Sequence, residues 1–144
     1  MKFFKGLRVY GDVNFRGDCP KEDAELKTFF SDMRADHPLK DVLKHVIFHV
    51  NNEGKLNHKQ IAELKQKGAL VKGVSDIIGM GNPMLVLELK RQDHTKSSYE
   101  FGQENFLKMS HQAGAFTCIA LGYEGAFQAL EAWLELDPLK LKAH

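Results

Sequence analysis

The sequence predicts a mixed α/β domain in which a central sheet carries helices on both faces. Extended and helical patterns alternate along the 144 residues, roughly in the order β-α-β-α-β-β-α-β-α. The run from Phe116 to Leu121 is apolar throughout, as is typical of a strand that is covered on both faces. Apolar residues make up 43% and charged residues 27%, which excludes disordered, collagen-like and disulfide-scaffold chains. At this length we expect one domain over residues 1–144.

The first half of the sequence predicts a strand or an extended arm over about 20 residues, then a turn, and after it a helix, a strand and a second helix. Apolar residues recur with helical spacing from Lys21 to about Ala35, and Pro38 ends that helix. The β-branched and aromatic residues between Val42 and Val50 predict a strand. Asn57 is a suitable N-cap for a helix from His58 to Lys67.

The second half predicts a hairpin, a helix, the buried strand and a final helix. Ser75 to Ile78 and Met84 to Lys90 are two extended segments, and the glycine-rich sequence between them favours a turn. Tyr99 to Ala113 has a helical pattern. The last helix runs from Glu124 to about Leu136 and ends before Pro138.

Charge, cysteine content and hydropathy indicate which partners and which location to expect for the protein. A net charge of +1 gives no support for a polyanionic partner of the molecule as a whole, but residues 55–72 contain five lysines and one acid. Cys19 and Cys118 belong to no metal-binding motif, so we expect two reduced thiols. No apolar run reaches the roughly 18 residues of a membrane helix, and no signal peptide is apparent, so we expect a cytoplasmic protein without a membrane partner.

The residues that indicate chemistry are Asp76, Glu88 and Lys90. In a strand, Glu88 and Lys90 point to the same face, although their neighbours are typical of a core. The predicted hairpin would bring Asp76 alongside them. Carboxylate ligands suit Mg²⁺ or Mn²⁺, and such a cation beside a lysine could promote hydrolysis of a phosphodiester. The spacing alone leaves an ordinary surface Glu/Lys pair open as the alternative.

These residues resemble the motifs of the PD-(D/E)xK nucleases, and from about Lys21 to Trp133 the chain resembles the VRR-NUC family in particular. The motifs occur in the family's order. They are an acid that opens the first helix (Glu22 or Glu25), the loop Asn51-Asn52-Glu53-Gly54-Lys55, the segment from Lys67 to Asp76, the strand Leu87-Glu88-Leu89-Lys90-Arg91, and Gln103 at the start of a later helix. Ser75 stands where the family usually has proline, which supplies no metal ligand.

The resemblance implies a restriction endonuclease-like fold and a site that binds Mg²⁺ or Mn²⁺. Its expected metal ligands are the side chains of Asp76 and Glu88, the carbonyl of Leu89, and the helix acid. Lys90 would be the catalytic lysine, and Gln103 would orient it or contact the phosphate. Glu22 and Glu25 are one helical turn apart and both could face the metal, but Glu22 fits the family's spacing better.

The resemblance also implies DNA as the substrate. The predicted DNA contacts are Asn52, Lys55, Lys65, Lys67, Lys72, Gly73 and Arg91. For the lysines, a solvated helix face explains the pattern equally well, and the asparagine-rich loop is also an ordinary turn signal. Branched DNA such as a Holliday junction or a flap is the expected substrate, in a phage-infected or bacterial cell. Cutting two strands would be easiest for a homodimer.

Two other functions compete with a DNA endonuclease. A non-catalytic nucleic-acid binding module would keep the lysines but would have no use for acids beside the phosphate. A metal-dependent hydrolase of small phosphoesters would need a closed pocket, which no motif indicates. His45 and His49 are four residues apart on a predicted strand, so we expect packed or surface histidines rather than a metal pair.

Overall fold

The computed structural model of the protein describes residues 6–50, 57–68, 75–98 and 102–141. Its strands are β1 (Arg8–Tyr10), β2 (Ile47–His49), β3 (Ile77–Gly79), β4 (Leu85–Lys90) and β5 (Phe116–Leu121). Its α-helices are α1 (Glu22–Asp36), α2 (Lys40–Val46), α3 (His58–Gln66), α4 (Gln103–Gln112) and α5 (Gly122–Leu134). The strands form one sheet in the order β1-β5-β4-β3-β2. β5 is parallel to β1 and β4, whereas β3 is antiparallel to both of its neighbours, β2 and β4.

The mixed α/β fold predicted from the sequence is confirmed. The predicted hairpin is formed by β3 and β4, and β5 has the predicted limits. Asn57 caps α3 as predicted, because its side chain accepts from the Gln60 main chain while the Gln60 side chain accepts from the Asn57 main chain. Residues 99–101 of the predicted fourth helix lie outside the described residues.

The strand predicted from Val42 to Val50 is wrong over its first half, which forms α2. Leu39, Leu43 and Ile47 are spaced four residues apart, so a helix places all three against the core. Burial of this apolar stripe outweighs the β-propensity of the valines, which depends strongly on context. Only the last residues of the predicted segment extend into β2, at the edge of the sheet.

The two faces of the sheet carry different helices. On one face, the odd-numbered residues of β4 pack with α1, α2 and α5 around the buried Trp133. On the other face, Val86 of β4 packs with Ile119 of β5 and Leu107 of α4. Glu88 and Lys90 follow Val86 at alternate positions, so they project to the α4 face where β4 ends. Among the helices of the described ranges, none combines the length and apolar character needed to cross a bilayer.

Candidate active site

The hairpin brings two acidic side chains together. Ile77 pairs with Leu87 in the β3–β4 ladder, and one further step of that register places Asp76 opposite Glu88. The carboxylate of Asp76 accepts a hydrogen bond from the Leu89 main chain at 2.9 Å, and it is close enough to Glu88 for its charge to raise the pKa of that group. The side chains of both acids therefore meet at the end of β4, as the hairpin predicted.

Burial makes this pair of carboxyl groups costly to ionise. Burial, followed by the nearby charge of Asp76, raises the pKa of Glu88 well above its ordinary value, although Lys90 opposes the shift. Burial also raises the pKa of Asp76, against the hydrogen bond from Leu89. Glu88 is only 1% exposed, and its Oε2 atom has no hydrogen-bond partner among the described residues. A cation bound here would satisfy that oxygen and offset the repulsion between the two charges.

Lys90 is as deeply buried as Glu88, at 1% exposure. Its Nζ atom lies 3.5 Å from the nearer carboxylate oxygen of Glu88. It also donates to the carbonyl of Ser98 at 2.7 Å and to the side-chain oxygen of Gln103 at 3.2 Å. Gln103 begins α4, and Gly102 before it has a φ of 93°, which glycine tolerates best. The start of α4 thus orients the ammonium group towards the acids.

The structure separates the two glutamates at the start of α1. Glu22 accepts from the Ser97 hydroxyl at 2.8 Å, and, after burial and Asp76, its charge also contributes to the raised pKa of Glu88. Glu25 is 1% exposed, and its carboxylate accepts from the Tyr123 main chain at 2.6 Å and from the Gln92 side chain at 2.7 Å. Glu25 therefore caps the N-terminus of α5, and the geometry gives it a structural role in place of the metal-ligand role expected for it.

A polar pocket of about 360 Å³ opens beside Lys90. It is lined by Lys21, Glu22, Asp23, Lys90, Arg91, Lys96, Ser97, Ser98 and Gln103. Four of these residues are cationic, so the pocket can accept a negatively charged group such as a phosphate. Lys90 connects the pocket to the acid pair, since its ammonium group lies 3.5 Å from the carboxylate of Glu88.

Of the seven residues predicted to contact DNA, the structure describes Lys65, Lys67 and Arg91. The guanidinium of Arg91 donates to the main-chain carbonyls of Cys19 and Pro20 at 2.7 and 3.1 Å, so it anchors the segment that leads into α1. Lys65 lies on α3 and Lys67 at its C-cap, and both are exposed. Asn52, Lys55, Lys72 and Gly73 lie outside the described residues.

The metal site is only partly assembled from the side chains that the structure describes. Within those ranges, no three histidine, cysteine or acidic side chains come close enough to hold a metal ion together. Asp76 and Glu88 supply two carboxylates, and the hydrogen bond from Leu89 to Asp76 brings the main chain of Leu89 to the same place. A hard cation that keeps several water ligands needs no more than one or two carboxylates from the protein, so the residues present fit Mg²⁺ or Mn²⁺.

Two further residues near the site belong to no sequence motif and are not predicted from the sequence. Ser97 donates to Glu22 and accepts from the Arg91 main chain at 2.9 Å, so it links the end of β4 to the start of α1. His49 donates from Nδ1 to the carbonyl of Asp76 at 2.7 Å. Neither residue belongs to a motif, because each acts by fixing the main chain or another side chain.

Comparison with known proteins agrees with this fold. No protein-family model matches the sequence, and no curated protein matches it. Among solved structures, the chain is similar to a "VRR_NUC domain protein", with a TM-score of 0.63 and 18% sequence identity. The similarity covers 85% of this chain and 93% of that chain. The chain therefore has the restriction endonuclease-like fold of a VRR-NUC domain, as the sequence motifs predicted.

Proposed function

We propose that the protein is a metal-dependent nuclease that hydrolyses phosphodiester bonds in DNA. The observation that carries the proposal is the pairing of the buried Glu88 with the partly buried Asp76, with the buried Lys90 held beside them by Gln103. Burying Glu88 and Lys90 next to a second carboxylate is expensive, so such a cluster is more typical of catalysis than of stability. The VRR-NUC fold is an independent argument for the same class of reaction.

Each residue of the cluster has a role in this mechanism. Asp76, Glu88, the Leu89 carbonyl and Glu22 would hold a Mg²⁺ or Mn²⁺ ion. The ion would polarise a phosphoryl oxygen and lower the pKa of a water ligand. Lys90 positions the attacking water and stabilises the charge that develops on the phosphate. Gln103 and the Ser98 carbonyl keep Lys90 in place.

DNA is favoured over small phosphoesters because the polar pocket is open and surrounded by cations rather than closed around a base. We further propose that the substrate is branched DNA, such as a Holliday junction or a flap, and that a homodimer cuts the two strands. The exposed lysines Lys65, on α3, and Lys67, at its C-cap, would contact the phosphate backbone.

The proposal is tested by cleavage of labelled blunt duplex, flap and four-way-junction DNA in Mg²⁺, Mn²⁺ or EDTA, with the Asp76→Ala variant in parallel. We expect cleavage that requires the metal and is lost in the variant. Cleavage of free nucleotides but not of DNA would favour the phosphoester hydrolase instead. DNA binding without cleavage in any metal would favour a binding module, and the catalytic roles would then be withdrawn.

Removing the Ser97 hydroxyl is expected to weaken metal binding about 10- to 100-fold, the usual effect of losing a group that orients a ligand. Without Ser97, Glu22 loses the hydrogen bond that fixes its carboxylate. Calorimetric titration of Mn²⁺ into the Ser97→Ala protein, without DNA, measures this effect. Ser97→Thr should restore the affinity. Ser98→Ala is the matched control, because Ser98 contributes only its carbonyl to Lys90. Equal Mn²⁺ affinity in Ser97→Ala and wild type would contradict the role.

The Lys65→Ala variant should bind duplex DNA more weakly and with a salt dependence that is shallower by about one unit of slope. Each phosphate neutralised by a lysine releases about one counterion, so the slope counts such contacts. Fluorescence anisotropy at several salt concentrations gives the slope. Lys140→Ala is the control, because Lys140 lies near Asn82 at the opposite end of the β3–β4 hairpin. An unchanged slope would assign Lys65 to a solvated helix face.

A further inference from the structure

A groove of about 910 Å³ lies between α1 and β2, and none of its described lining residues is one predicted for catalysis or DNA contact. Its apolar surface comes from Leu26 and Phe30 of α1 and from Phe48 of β2. Phe48 is 44% exposed, whereas every other phenylalanine, tyrosine or tryptophan side chain among the described residues is at least partly buried. An exposed aromatic side chain in a groove of this size is suited to a flat apolar ligand.

Cationic side chains border the apolar surface. Lys27 and Arg34 are seven residues apart on α1, so they face the groove about 10 Å from each other along the helix axis. The guanidinium of Arg34 lies 5.2 Å from the centre of the Phe30 ring. Lys27 forms an ion pair with Asp23, but both side chains are more than three-quarters exposed, so a phosphate could replace the carboxylate. Asp23 is the only acid among the described lining residues.

The groove adjoins the candidate active site at two points. His49 lines the groove, and its ring nitrogen contacts the carbonyl of Asp76 at 2.7 Å. Asp23 lines both the groove and the polar pocket that contains Glu22 and Lys90. A nucleic-acid strand that passes the acids can therefore continue directly into the groove.

We propose that this groove binds unpaired nucleotides of the DNA substrate, with a base stacked on Phe48 and phosphates close to Arg34 and Lys27. The inference rests on the proposed nuclease function and specifies a single-stranded segment next to the bond that is cut. Proteins that hold single strands combine aromatic platforms with cationic grooves, because every base offers a flat face and every linkage a negative charge. The cations and the contact with Asp76 favour nucleotides over a protein segment as the occupant.

Binding of three fluorescent DNAs in EDTA tests the proposal: a blunt duplex, the same duplex with a single-stranded overhang, and the overhang duplex with abasic sites in the overhang. We expect wild type to bind the overhang duplex about tenfold more tightly than the other two, which is the size of one base–aromatic stack. Phe48→Ala should bind all three alike. Leu136→Ala is the matched control, because Leu136 is similarly exposed, at 49%, and lies outside the groove.

A Phe48→Trp variant reports stacking directly. The native chain has one tryptophan, Trp133, which is fully buried. Emission from the new tryptophan should therefore be quenched by the overhang duplex and not by the abasic one. This variant should also keep the tenfold preference, since tryptophan provides a larger platform.

The outcomes separate this inference from the proposed function. If wild type cuts and binds DNA but ignores the overhang, the groove proposal is overturned and the nuclease proposal stands. If wild type neither binds nor cuts any of the DNAs, both fail. A Phe48→Asp variant that changes the molar mass in solution while keeping the overhang preference would show a protein interface at the groove, which also overturns the proposal.

Discussion

The Glu88→Gln variant is expected to lose cleavage by a factor on the order of 10³ and yet to be more stable than wild type in metal-free buffer at neutral pH. The amide keeps the shape of the side chain but cannot neutralise a bound cation. It also removes a charge that burial and Asp76 make unfavourable in the folded protein. Loss of activity and gain of stability in one variant would identify a residue retained for chemistry rather than for folding.

The stability difference should depend on pH in a defined direction. The pKa of Glu88 is raised in the folded state, so above its ordinary value of 4.5 the folded protein binds more protons than the unfolded chain. The free energy of unfolding of wild type therefore falls as the pH rises from this value to the folded-state pKa. The variant lacks this titration, so its advantage should grow over that window and then level off. Urea unfolding in EDTA between pH 4 and pH 8 measures the difference.

Adding Mn²⁺ should reverse the ranking. Wild type should gain thermal stability with the metal, because the ion binds only the folded state, whereas Glu88→Gln should gain little. Glu135→Gln is the control for the substitution itself, because Glu135 is exposed at the C-terminal end of α5. An active Glu88→Gln protein, with contaminating nuclease excluded, would remove Glu88 from the mechanism.

The second large effect is a contrast between two neighbouring glutamates. Glu25→Ala should lower the free energy of unfolding by about 3 to 6 kcal/mol, since it removes two hydrogen bonds to a charged group. It leaves the Tyr123 main-chain N–H and the Gln92 side chain without their buried acceptor. Below its lower melting temperature, the folded fraction of this variant should still cleave DNA at the wild-type rate.

Glu22→Ala should behave in the opposite way. Glu22 is only partly buried, so we expect a loss of stability within about 1 kcal/mol. Cleavage should nevertheless fall on the order of 10²-fold, because a carboxylate close enough to influence Glu88 is gone. Thermal melts and single-turnover cleavage of both variants, with Asp36→Ala at the exposed C-terminal end of α1 as the control, separate the two roles. If fully folded Glu25→Ala protein were inactive, or if Glu22→Ala kept wild-type activity, then Glu25 rather than Glu22 would belong to the active site.

The sequence predicted the central part of the candidate site because that part is local. Asp76 and Glu88 lie on one hairpin, whose register follows from strand alternation and the short turn between the strands. Glu22 and Glu25 were harder to separate, since residues three apart face nearly the same side of a helix. What distinguishes Glu25 from Glu22 is its hydrogen bonds with Gln92 and Tyr123, which reach it only in the folded protein.

Other features depended on tertiary context and were missed. The valines of α2 favour a strand, and only the packing of Leu39, Leu43 and Ile47 against the core decides for a helix. Ser97 and His49 act through single hydrogen bonds that no spacing rule indicates. The sheet order beyond the hairpin was likewise undetermined, because the parallel pairing of β1 with β5 joins distant parts of the chain.

The hydrogen bond between Ser97 and Glu22 spans 75 positions of the chain, whereas the acids of the hairpin are separated by only a short turn. Contacts between distant positions form late in folding, because a long loop must be closed first. The hairpin and its acids should therefore form before the first helix docks onto the 91–98 segment. A newly made chain would hold an incomplete set of acids until the whole domain has closed, and hydrolysis would begin only in the finished protein.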